Sequence, residues 1–82
     1  MFNIVSKEKI GTINTGIDGK DEYVLFRIEG CVTLQELKNF LNDRYRCDSS
    51  YPGAWFCSGV TVMPKPYFED EFVVIIHDRM DV

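Results

Sequence analysis

Few residues of this chain are of types that carry out chemistry, so their neighbours decide the reading. His77 is the sole histidine, and Asp78 follows it. A general base needs an orienting partner and a cleft. No motif fixes a serine or cysteine nucleophile near His77, and no G-x-S-x-G, P-loop, H-E-x-x-H or G-x-G-x-x-G occurs. A histidine at a strand end then reads as structural, and an enzyme built on His77 and Asp78 ranks third among the readings. The cysteines are Cys31, Cys47 and Cys57, an odd number with no C-x-x-C pair. They are expected as reduced, partly buried thiols. The alternatives are a Cys47–Cys57 disulfide and a metal held by Cys47, Cys57 and His77 with a fourth ligand. No cofactor and no metal is expected.

Binding chemistry is better represented. The segment from Cys47 to Phe56 holds the only tryptophan, Trp55, four residues after Tyr51. Tyrosine and tryptophan are enriched at binding hot spots. Arg44 and Arg46 immediately precede this segment, and arginine beside an aromatic ring can stack on a base or hold a phosphate. Tyr67 and Phe68, after Pro64-Lys65-Pro66, form a second aromatic pair. Arg44, Arg46, Tyr51, Trp55, Tyr67 and Phe68 are therefore the candidate binding residues. The plainer reading is that the loop aromatics pin their segments onto the sheet.

Elements must position these residues, and the chain is short. Eighty-two residues with 45% hydrophobic and 27% charged side chains fit one folded domain spanning 1–82. The formal charge of −4 argues against a sequence-independent grip on nucleic acid, which needs a basic stripe. Acidic clusters at Asp18, Asp21 and Glu22 and at Glu69, Asp70 and Glu71 read as solubilising charge, with mimicry of DNA as the alternative. The N-terminal residues lack the pattern of a signal peptide, no lipidation motif is seen, and no apolar run approaches a membrane span of about 20 residues. The expectation is a cytoplasmic protein with no membrane contact.

Phe2–Ser6 reads as a short strand and Lys7-Glu8-Lys9 as a break. Ile10–Ile17 reads as a second strand, and Asp18-Gly19 as a type I′ hairpin turn. Tyr23–Ile28 is the return strand. That turn sets Ile13 opposite Val24 and Gly11 opposite Phe26, on one face with Ile28. Thr33-Leu34-Gln35-Glu36 is a capping box, with the hydroxyl on the Glu36 amide and the carboxylate reaching back to the cap amide. Leu34, Leu37, Phe40, Leu41 and Tyr45 follow at helical spacing, giving a helix of about 12 residues. Phe56–Met63 and Phe72–His77 are further strands, and Asp78–Val82 is a polar tail. The predicted class is α+β: a mostly antiparallel sheet of four to five strands with one helix packed on one face, in the order ββ(β)-α-ββ.

The last strand is unusual. Phe72-Val73-Val74-Ile75-Ile76 has no polar position, whereas a half-solvated strand alternates. One helix covers one face, so something must cover the other. A second copy of the chain is the expectation; the alternative is cover by Tyr51, Trp55 and Tyr67. Short, acidic, cysteine-containing and without catalytic motifs, the chain is similar in general character to small proteins encoded by bacteriophages and mobile elements. That likeness implies a modulator or inhibitor of a host protein or defence complex. The function expected is a non-catalytic protein-interaction module that forms a homodimer and binds a further protein. The alternative is a small-ligand, nucleotide or nucleic-acid binding module using the arginine-aromatic helix end and loop.

Overall fold

The capping box acts where it is expected. Thr33 Oγ1 accepts the Glu36 amide at 3.1 Å and donates to Glu36 Oε1 at 3.2 Å, so the glutamate binds the hydroxyl rather than the cap amide. The computed structural model describes residues 1–16, 19–45 and 55–80, the side chains of Trp55, Phe56 and Met80 excepted. Its elements are β1 (Phe2–Gly16), β2 (Gly19–Gly30), α1 (Leu34–Tyr45), β3 (Trp55–Pro64) and β4 (Glu71–Met80). The sheet is antiparallel throughout, in the order β1-β2-β4-β3. This is the predicted α+β domain, with four strands and one helix.

The hairpin differs from its expected form. Lys7-Glu8-Lys9 does not interrupt the chain: β1 runs 15 residues as one edge strand. Gly16 pairs with Gly19, and residues 17 and 18 lie outside the described ones. Gly19, read as a turn residue, is instead the first residue of β2. The register then shifts between Ile4 and Ser6, Lys9 and Gly11, and Asn14 and Gly16. Each bulge turns subsequent side chains to the opposite face. Ile13 consequently sits opposite Asp21 rather than Val24, and Gly11 opposite Tyr23 rather than Phe26. Asp78 to Met80, read as tail, extend β4.

At the end of β2, Gly30 has φ 106°, and a Cβ there would lie 2.6 Å from the Met1 carbonyl oxygen. Only glycine permits both that conformation and the close passage of β1.

Side chains opposite one another across strands share a face. Val24, Phe26 and Ile28 of β2, Phe72, Val74 and Ile76 of β4, and Cys57 and Val60 of β3 form one buried layer with Leu37 and Leu41 of α1. Leu34 and Phe40, on the helix margins, stay more than 40% exposed. Asn42 Oδ1 accepts the Val60 amide at 3.0 Å, which fastens α1 over the β3 side of the sheet. Truncating a side chain in this layer leaves a cavity. Leu41→Ala is expected to cost about 2–5 kcal/mol in urea unfolding. Phe40→Ala, at the margin, is expected to cost about 1 kcal/mol or less.

Candidate functional site

Among the described residues, no element lies on the second face of the sheet. Tyr23 stands opposite Ile75 and Leu25 opposite Val73, while Thr61 and Met63 of β3 stand opposite Ile75 and Val73. These side chains make an apolar stripe across the three inner-to-edge strands β2, β4 and β3. Every one is at least partly exposed, Met63 to 40%. Tyr67, one of the aromatics that the alternative reading folds over this face, is fully exposed. Tyr51 and the Trp55 side chain lie outside the described residues. β4 is therefore apolar on both faces, and among the described elements only its helix side is covered.

A polar chain closes one end of the stripe. His77 Nδ1 lies 2.9 Å from Asp21 Oδ1, and His77 Nε2 lies 2.7 Å from Thr61 Oγ1. An ionised carboxylate only accepts, so Nδ1 carries the proton. In the neutral ring Nε2 then accepts from the Thr61 hydroxyl. Arg79 Nη1 donates to Asp21 Oδ1 at 3.3 Å and to the Asp78 and Lys20 carbonyls. Burial pushes the Asp21 carboxyl up, but the hydrogen bonds and charges of His77 and Arg79 outweigh it, and its pKa falls below the usual value. His77 is thus neither incidental nor partnered by Asp78, which lies on the helix-side face, where burial and then Glu22 raise its carboxyl pKa.

Hydroxyl, imidazole and carboxylate in this order form the arrangement that activates a nucleophile. Here the three side chains belong to three adjacent strands, and what they visibly do is tie β2, β4 and β3 together. Cys57 is buried in the helix-side layer, opposite in direction to His77, so these two ligands of the alternative metal reading are not brought together. Cys47 lies outside the described residues. No group of three potential metal-binding side chains occurs among the described residues.

Ion pairs mark the other end. Arg27 Nε is 3.2 Å from Asp70 Oδ2, and Lys65 Nζ is 3.3 Å from Glu71 Oε2. With Arg79 and Asp21, three cations face three carboxylates, while the whole chain carries −4. Glu8 and Glu29 stand at the β1 margin outside these pairs. Glu22, from the first acidic cluster, is paired with Lys9 and Lys20 on the helix-side face.

Comparison with protein-family models, with curated proteins and with solved structures finds no match to the chain. The geometry is the evidence for function.

The candidate binding residues do not form one cluster. Tyr67 and Phe68 occupy the β3–β4 loop at the Phe72 end of the sheet, with Lys65 Nζ 4.6 Å from the Phe68 ring centre. Trp55 begins β3 at the opposite end, paired with Met80. Arg44 is exposed in the last turn of α1 on the helix side. Arg46 and Tyr51 lie outside the described residues. The residues missed at first are Tyr23, Leu25, Thr61 and Met63. A signal for two of them existed: Tyr23-Val24-Leu25-Phe26 fails to alternate just as the last strand does.

Two measurements probe this region. The folded Asp21 pKa lies below its unfolded value, so the unfolded state takes up the proton first as acid is added. The resulting stability is present above the unfolded carboxylate pKa of about 3.9 and is lost as pH falls through the folded value. Urea midpoints followed from neutral to acid pH should fall less steeply for Asp21→Asn than for the wild type. The second concerns Tyr67, whose φ is 69°. Phe68 N donates to the Lys65 carbonyl at 3.3 Å, which places Pro66 and Tyr67 at the centre of the turn. A positive φ at the second central position suits glycine. Tyr67→Gly is expected to raise stability by about 1 kcal/mol in the same assay.

Proposed function

We propose that this chain is a non-catalytic interaction module that self-associates through the open face of its sheet. The observation that carries the reading is β4, whose half-buried Val73 and Ile75 point away from the helix into an apolar stripe that no described element covers. The occupant is a second copy of the chain. The β2–β4 ladder holds nine pairs, about 30 Å of strand, and the three strands β2, β4 and β3 span about 14 Å. The stripe is roughly 400 Å² in projection, about half the ~800 Å² per partner of a standard interface.

Charge supports the same occupant. The stripe itself carries no charge, and Arg27, Lys65 and Arg79 at its ends each have a carboxylate at hand. Two such faces meet without burying an unpaired ion, the arrangement that would otherwise oppose packing. In this reading the dimer acts inside the cell as a modulator of a larger protein, in keeping with the general character of the sequence. Exposed Tyr67 and Phe68, held at the end of the sheet, remain available to that partner.

Sedimentation velocity over a concentration series tests the dimer. The wild type should shift from one to two copies with rising concentration. Ile75→Lys, which places a charge in the middle of the stripe, should remain monomeric with an unchanged helical signal. A wild type that stays strictly monomeric at high micromolar concentration would sink the proposal.

A further inference from the structure

The helix-side face has an uncovered part of its own. A helix with side chains is about 10 Å across, whereas four strands span about 19 Å. Asn42 holds α1 toward β3, so no described element covers the β1 side of the same face. A groove of about 580 Å³ results, a size typical of small-molecule sites. Phe26 lies in its floor, Phe2 of β1 forms one wall, and Phe40 and Tyr45 of α1 form the other. Phe2 and Phe40 meet edge to face with ring centres 5.3 Å apart.

The groove has polarity. β1 and α1 run in the same direction, since β2 reverses β1 and α1 reverses β2. The earlier helix residue Glu36 therefore lines one end, and its carboxylate is engaged by Thr33. Arg44, two turns later, and Lys7, farther along β1, line the other end. Neither cation has an ion-pair partner among the described residues, whereas Lys9, Lys20, Arg27, Lys65 and Arg79 all do. The lining takes in β1 from Met1 to Lys7, about 20 Å of extended strand, so the space is elongated rather than round.

We infer that this groove binds a single unbranched apolar chain bearing one carboxylate, a fatty-acid-like anion. The chain runs along β1 beside the Phe2–Phe40 pair and past Tyr45, and the carboxylate meets Arg44 and Lys7. The charge complementarity selects the head group: a cation at that end would face two like charges, and a carboxylate gains charge-assisted hydrogen bonds. This site lies on the face opposite the proposed dimer interface and does not require it.

Titration calorimetry with dodecanoate, below its micelle-forming concentration, tests the inference. Dodecyltrimethylammonium, with the same chain and the opposite charge, is the comparison. Dodecanoate should bind saturably and the ammonium at least about tenfold more weakly, as expected for loss of a charge-assisted contact. The double variant K7Q/R44Q should lose a similar factor for dodecanoate. Phe40→Ser, changing a side chain already 42% exposed, should weaken binding while the circular dichroism stays that of the folded chain. The I75K variant should bind dodecanoate as the wild type does even where it no longer dimerises, which separates this site from the dimer. Equal affinity for the two head groups, no saturable binding, or no effect of K7Q/R44Q overturns the inference.

Discussion

One helix of 12 residues serves a sheet of four strands, and the rest of the molecule follows from that mismatch. Leu37 and Leu41, both fully buried, close the layer over Val60, Val74 and Phe26. They reach neither the back of the sheet nor its β1 side. An 82-residue chain has little else to spend on cover among its described elements. Two apolar surfaces are left over, the stripe behind β4 and the groove beside β1. They differ in kind. The stripe is flat and its flanking ions are largely matched, which suits a macromolecular surface of the same composition. The groove is concave and ends in two cations that have no ion-pair partner among the described residues, which suits a small anion.

The sequence shows most clearly what is local. The capping box and the helical repeat fix α1 without reference to any other element. The apolar run in the last strand likewise announces two buried faces. What escapes is whatever depends on pairing across distance. The bulges at Val5, Ile10 and Thr15 each move the following residues to the other face; Gly11 and Gly16, just after two of them, are marks of irregularity that the reading of plain alternation passes over. Ile13 therefore looks like a core residue in the sequence and is 55% exposed in the fold. Lys7-Glu8-Lys9 looks like a break because charge is scarce in inner strands, yet it is ordinary on an edge strand.

The candidate site follows the same division. His77 invites pairing with Asp78, its neighbour in sequence, but adjacent residues of a strand point to opposite faces. Its actual partner is 56 residues away, and the hydroxyl on its other nitrogen is 16 away. Only the strand order β2-β4-β3 brings the three together. The acidic clusters also change meaning once partners are visible. Asp21, Glu22, Asp70 and Glu71 each lie beside a cation, so much of the apparent acidity is spent on internal pairing.

The sheet's edges explain why association is assigned to its face. An open edge is the usual hazard of a small antiparallel sheet, because it offers unpaired backbone groups to another strand. Here both edges are obstructed. On β3, the Val60 amide that would donate outward is held by Asn42 Oδ1. On β1, three register shifts within 15 residues break the outward-facing ladder, and alternating charges at Lys7, Glu8 and Lys9 add a solvated stretch. A strand approaching either edge meets an irregular or occupied row of donors and acceptors. The apolar stripe of Tyr23, Leu25, Val73, Ile75 and Met63 meets no such obstruction. In the proposed dimer, burying that stripe gives a second chain apolar contact without competing for the irregular β1 edge or the Val60 amide held by Asn42.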